Sequence, residues 1–147
     1  MFPADFITMT QKFSHVYEFF CAPVCKKYEL TQSAFDVMLF LANNPSYNTA
    51  RDVCEVRGLK KGIVSVVTEQ LVQRGYLVRE NDPSDRRIQR LQLTDLSEPI
   101  VADGRTAQKK FMSGISAGLS EQELGQYRVI TEKIRENIVE IERKLVK

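Results

Sequence analysis

The chain has 147 residues, 43% of them apolar, and a formal net charge of +2. That length suits one domain, or one domain with appended helices, and the apolar share is ordinary for a folded soluble protein. No stretch approaches the roughly 18 apolar residues of a membrane span, and the N-terminus lacks the basic, apolar and small-residue order of a signal peptide. The three cysteines, Cys21, Cys25 and Cys54, are odd in number and show no metal-type pairing, so reduced thiols in a cytoplasmic protein are expected. Residues 48–94 carry nine Lys/Arg against six Asp/Glu, a local +3 compatible with a nucleic-acid surface but too small to argue for one. Placement of charge must matter more than its total. A core of this size is small, and pairing with a second copy would enlarge it.

Helical periodicity begins at Asp5 and runs to Lys27, with Phe6, Met9, Phe13, Val16, Tyr17, Phe20 and Val24 recurring at spacings of three and four. Pro23 falls inside the pattern and predicts a kink or a new segment. The stripe is broad and aromatic. It reads either as a core helix or as one shared with a second copy of the chain. Cys21 and Cys25 lie one helical turn apart, poorly placed to bridge each other, and read as small buried apolar groups. His15 is the only histidine and has no acidic or thiol partner at ligand spacing, so no metal site is expected.

Thr31 is placed to cap a helix from Gln32 to Asn43, whose buried side is Phe35, Met38, Leu39, Leu41 and Ala42. Asn43, Asn44 and Pro45 end it. Thr49 caps a second helix, Ala50 to Arg57, with Val53, Cys54 and Val56 expected to point inward. Gly58 and Leu59 make the turn that follows, and Leu59 should plug the angle between helices.

At about 100° per residue, the helix that opens with Lys60 and Lys61 puts Val64, Val67, Thr68 and Leu71 on one side. Gly62, Ser65, Val66, Glu69 and Gln73 fall on the other. Gly75 stands where a left-handed C′ residue would end the helix. Residues 76–80 and 88–94 then read as strands, short, rich in Val, Leu, Ile and Tyr, and roughly alternating. Between them Asn81 to Arg87 gathers Asn, Asp, Pro and Ser, the residues that favour turns. Leu91 and Leu93 share one strand face and should pack on the preceding helix.

Proline is tolerated only in a helix's first turn, so Pro99 makes Ser97 a better cap than Asp95 for the helix that runs to about Ser116. Its apolar residues are Ile100, Val101, Ala107, Phe111, Met112 and Ile115, and Gly104 weakens it. Ser120 with Glu123 forms a capping box. The last helix places Tyr127, Ile130, Ile134, Ile138, Ile141 and Leu145 at spacings of 3, 4, 4, 3 and 4, which is a heptad seam. A seam of that kind must pack on something, either another helix of the same chain or a second copy.

The run of helix, Arg74-Gly75-Tyr76-Leu77, strand, Asp82-Pro83-Ser84-Asp85-Arg86-Arg87, strand and Leu93-Thr94 resembles the winged helix-turn-helix of the MarR family of bacterial transcription regulators. The likeness extends upstream to Leu30-Thr31-Gln32, with Phe35 in the usual aromatic place. About 65 residues carry it strongly, and the helical ends fit in outline. The resemblance implies a mainly α fold with a small β wing. Residues 1–30 would be an N-terminal dimerisation helix, 31–95 the DNA-binding domain and 96–147 C-terminal dimerisation helices. It also implies a brief third strand at residues 46–48, beside the wing. Peroxide-sensing thiols in the family lie near the start of the first helix; Cys21 and Cys25 lie near its end, so that role does not carry over.

What the resemblance implies for function is a homodimeric DNA-binding regulator, most often a repressor, reading a pseudo-palindromic site with half-sites roughly 10 base pairs apart. The DNA-contacting set would be Thr49, Lys60, Lys61, Gly62, Ile63, Ser65, Val66, Glu69, Asp85, Arg86, Arg87 and Arg90. Arg86 or Arg87 would enter the minor groove, braced by Asp85, and Arg79 and Arg90 would add phosphate contacts. The chain departs from the family along the recognition helix. Only Ser65 keeps the usual hydroxyl, and Val66 replaces the common base-reading arginine. Ile63 and Val66 would either touch thymine methyls or stand as scattered surface apolars. Phe6, Phe13, Tyr127, Ile130, Ile134, Ile138, Ile141 and Leu145 would form the dimer interface. Phe13, Tyr17, Phe20 and Phe40 would either line a pocket for a small aromatic effector or belong to the core. No cofactor is expected. One rival is a winged-helix module that binds another regulator instead of DNA. The other is an enzyme, for which no nucleophile–base–acid set, phosphate-binding glycine loop or metal cluster is found.

Overall fold

In a computed structural model of the chain, residues 4–146 are described. The element order is α1 (Ala4–Lys27), α2 (Gln32–Asn43), α3 (Ala50–Asp52) running into a π-helical turn (Val53–Arg57), α4 (Lys61–Gln73), β1 (Leu77–Asn81), β2 (Gln89–Leu93), a 3-10 turn (Asp95–Ser97), α5 (Glu98–Ile115) and α6 (Glu121–Leu145). The chain divides into two compact units, residues 1–111 and 112–147.

The first unit is built on α2. Thr31 caps it as expected, its hydroxyl oxygen accepting from the Ala34 N–H at 3.1 Å. Eight consecutive residues from Ala34 to Leu41 are buried, so this helix is covered all round. Its main neighbours are α1, α4, β2 and the π turn. Phe35, Val37, Met38 and Leu39 join Val53, Val64, Leu71, Leu77 and Ile100 in one apolar cluster. Helix α5 comes so close to α2 that a Cβ on Gly104 would lie 2.7 Å from Leu39 Cδ2. Gly104 is therefore the residue that permits this approach, and its loss of helix propensity is secondary. Polar ties finish the docking of α5: Asp103 accepts from Lys27 Nζ and Tyr28 Oη, both at 2.8 Å. Arg105 donates to Asn43 Oδ1 and the Ala42 carbonyl at the end of α2.

Helix α1 is continuous through Pro23, so the proline does not start a new segment. Proline removes one hydrogen bond, and here it does so in the last turns, next to the buried Cys21, Val24 and Cys25. His15 is exposed.

Three further expectations are corrected. Residues 46–48 form no strand, and the sheet has two strands. A single backbone bond, Leu91 N–H to Asn48 O at 2.7 Å, holds that segment beside the wing. Val56 is exposed, because the helix from Thr49 widens to π geometry at Val53 and its side chains rotate out of the 3.6-residue register. Strand β2 packs chiefly on α2 and α3, while β1 is the strand that packs on α4. Leu91 is buried and Leu93 partly so.

In the second unit, Ser120 and Glu123 form the predicted reciprocal capping box at the start of α6. None of its residues is buried. Tyr127, Ile130, Ile134, Ile138, Ile141 and Leu145 are all exposed large apolar side chains.

Candidate nucleic-acid interface

Helix α4 takes its orientation from its buried stripe. Val64, Val67, Thr68 and Leu71 are the buried residues, the four that periodicity selects. Lys61, Gly62, Ile63, Ser65, Val66, Glu69 and Gln73 are consequently all exposed. Lys60 occupies the N-cap position with no side-chain cap, so the first backbone N–H groups of α4 face solvent beside two lysines. Two cations at this end oppose the helix dipole and cost some stability. The other end closes as a Schellman motif: Tyr76 N–H donates to Leu71 O and Gly75 N–H to Val72 O, both at 3.0 Å, with Gly75 at φ +78°. Arg74 then donates to the Tyr28 and Glu29 carbonyls at 2.6 and 2.8 Å, tying α4 to the α1–α2 turn.

The helix before it starts at Thr49. Thr49 Oγ1 accepts from the Asp52 N–H at 3.1 Å, and the Thr49 N–H donates to Asp52 Oδ2 at 3.0 Å. The hydroxyl proton is left free to donate outward. At its far end Arg57 reaches the buried Asp36 carboxylate at 3.2 Å, and Gln32 donates to the same group at 3.0 Å. Burial pushes the Asp36 pKa up against the pull of Arg57. This ion pair anchors the π turn to α2 and was not legible as a pair in the sequence.

The wing is an antiparallel hairpin in which Leu77 faces Leu93 and Asn81 faces Gln89. Asp82 organises it. Its Oδ1 accepts from the Ser84 N–H (2.9 Å), the Ser84 hydroxyl (2.6 Å) and the Asp85 N–H (3.2 Å). Its Oδ2 accepts from Arg90 Nε and Nη2 at 3.0 and 2.9 Å. Ser84 first, then Arg90, hold the Asp82 carboxyl well below the usual carboxylate range. The third arginine donor, Nη1, bonds Asn48 Oδ1 at 3.0 Å. Arg90 is thus a clamp at the base of the wing, with three of its five N–H donors held internally. Arg79 is likewise engaged, with Glu69 of α4 at 3.0 Å. The bracing aspartate for an arginine at the tip is Asp85, which accepts from the Arg87 N–H at 3.0 Å and from Arg87 Nε at 3.3 Å. The Arg87 side chain is 92% exposed. Arg86 is exposed and makes no hydrogen bond or ion pair among the described residues.

The aromatic residues predicted for a pocket fall into two places. Phe13, Tyr17 and Phe20 pack edge-on against Phe111, with centroids 5.0, 5.2 and 6.0 Å away. Tyr17 Oη also accepts from Gln108 Nε2 at 2.9 Å. Phe40 is buried in α2. An open groove of about 390 Å³ lies elsewhere, between Glu29, Thr31, Gln70 and Arg74, and none of the four aromatics lines it. Phe111 as the hub and Asn48 as the wing's anchor were missed by sequence reasoning, whereas Asp82 was legible as a turn-capping residue but not as the partner of Arg90. The Asp82 signal is an aspartate two residues before a serine within a turn. No group of three or more His, Cys, Asp or Glu among the described residues is placed to hold a metal, and no described helix is long and apolar enough to cross a membrane.

Residues 28–88 match the model of the MarR family. Among solved structures, the transcriptional regulator SlyA superposes with a TM-score of 0.81 at 17% identity, covering 98% of this chain and 100% of that one. BpsR of Bordetella bronchiseptica, whose DNA binding is regulated by 6-hydroxynicotinic acid, gives 0.69 at 19%, covering 89% and 98%. CouR of Rhodococcus jostii, bound to p-coumaroyl-CoA, gives 0.74 at 18%, covering 89% and 92%.

Proposed function

We propose, from the match of residues 28–88 to the MarR family model, that the chain is a DNA-binding transcription regulator that works as a homodimeric repressor in the cytoplasm. The observation that carries this reading is the set of exposed cations at the start of α4 and at the wing tip. Lys60 and Lys61 stand at an uncapped helix start, and Arg86 and Arg87 stand exposed at the wing tip. Phosphate contact offsets the dipole cost of the lysines, and a narrow minor groove attracts an arginine. Ser65 and the Thr49 hydroxyl supply neutral donors to the same backbone. Gly62 has open space where a Cβ would stand, which lets backbone approach DNA closely. Glu69 and Arg90, held by Arg79 and Asp82, brace the surface.

Two copies would pair through the exposed seam of α6, Tyr127 to Leu145, with Phe6 and Phe13 of α1 adding to the interface. The two α4 helices would then read half-sites roughly 10 base pairs apart. A small aromatic compound is the effector class suggested by BpsR, regulated by 6-hydroxynicotinic acid, and by CouR, bound to p-coumaroyl-CoA. Its entry would have to open the Phe13–Tyr17–Phe20 packing on Phe111. The rival reading, a module that binds another regulator, draws on the exposed Ile63 and Val66. Selection of bound duplexes from a random pool, followed by fluorescence anisotropy on the winners, separates the two. A regulator binds the selected duplex well above bulk DNA; a module that enriches no sequence and binds no duplex at low salt contradicts the proposal.

A further inference from the structure

The middle of the α4 outward face has an unusual chemistry for a surface among cations. Ile63 is 40% exposed and Val66 57% exposed. They lie three residues apart and so share one ridge of the helix. The buried set Val64, Val67, Thr68 and Leu71 fixes the helix rotation, so neither side chain can turn inward without unpacking the core. Gly62 contributes no side chain, Ser65 offers one hydroxyl, and Glu69 is held by Arg79 at 3.0 Å. Residues 62–66 therefore contain no amide, guanidinium or ammonium able to make a bidentate bond to guanine or adenine. What they present is two stiff β-branched groups, which lose little rotamer freedom on contact. Lys60 and Lys61 stand exposed at the start of the same helix and Arg86 and Arg87 at the wing tip, charge that suits duplex phosphates and disfavours an ordinary apolar protein surface as the occupant.

We infer that Ile63 and Val66 set sequence preference by packing against thymine C5-methyl groups in the major groove, so that each half-site carries thymine at defined positions. The inference rests on the DNA-binding reading above and adds the base class that α4 selects. Of the major-groove features, only the thymine methyl is apolar. Burying one methyl between apolar partners corresponds to roughly a three- to fivefold change in affinity.

The test uses the full chain and the duplex recovered from a random pool. Each thymine of a half-site is replaced in turn by deoxyuridine, which keeps the base pair and removes only the methyl. At one or two positions the wild-type chain loses roughly three- to fivefold in affinity. Ile63→Ala and Val66→Ala each reduce the discrimination at one position to under about twofold, with the salt dependence unchanged because no phosphate contact is removed. Wild-type protein needs no refolding control, so the deoxyuridine series stands even if a variant misfolds. Full-strength binding with every thymine replaced overturns the inference while leaving DNA binding intact. Failure to bind any duplex at low salt overturns the DNA reading itself, and this inference with it.

Discussion

Asp82 joins five donors from three residues of the wing in one carboxylate, and that makes it the most consequential single residue of the hairpin. Its folded pKa is depressed, by Ser84 first and then by Arg90. A depressed carboxylate contributes stability above its unfolded value, about pH 4, and loses it as pH falls toward the folded value. Asp82→Asn should therefore lower stability at pH 7 and flatten the acid-side decline, as read by thermal melts between pH 3 and 7. Asp36 acts in the opposite sense. Burial raises its pKa, so its charge is tolerated at neutral pH at a cost that Arg57 only partly offsets. The thiols follow burial as well. Cys25 is pushed up to about 11 and Cys21 upward too, both by desolvation. Native protein at pH 7 should give at most one fast-reacting thiol, Cys54, and three after denaturation. Rapid labelling of Cys21 or Cys25 in the native state would show that α1 opens.

At the scale of elements, α4 combines a legible pattern with one internal flaw. Its inward and outward sets follow from 3.6-residue spacing because a single apolar stripe meets a single core. The Thr68 hydroxyl is buried there with no hydrogen-bond partner among the described residues. Thr68→Val keeps the shape and removes the stranded group, so a gain of about 1 kcal/mol is expected in urea unfolding. Gly104 predicts the reverse. A Cβ there meets Leu39, which is 1% exposed within the core, and Gly104→Ala should cost about 1–3 kcal/mol despite its better helix propensity. Periodicity recorded Gly104 only as a weak point, since propensity is local and the approach of α2 is not. The same limit explains Val56 and Pro23. A π turn shifts register without any marker residue, and tertiary packing kept α1 helical through a proline. The third strand was carried by resemblance alone; Asn48 replaces it with one backbone bond and one side-chain bond.

For the whole molecule, the proposal requires two chains. The α6 seam was readable because a strict heptad is visible without knowing its partner. The wing-tip cations were readable from a turn motif. The division of the arginines between clamp and surface was not, because Arg79, Arg86, Arg87 and Arg90 look alike until their acceptors are placed. If α6 pairs two copies, Ile134→Lys should convert the dimer to monomer in light scattering while leaving the helical circular-dichroism signal of the fold intact. Dimer mass unchanged by that charge would move the interface elsewhere.

Duplex contact by α4 and the wing is tested most directly by the salt dependence of binding by wild type and by Lys61→Ala and Arg86→Ala. Each phosphate contact contributes about 0.9 to the slope of log affinity against log salt. A dimer lacking one cation per chain should therefore lose about two from that slope, with affinity reduced across all sequences. A slope identical to wild type in both variants would mean that neither Lys61 nor Arg86 touches the phosphates, and would contradict the cationic surface assigned to α4 and the wing.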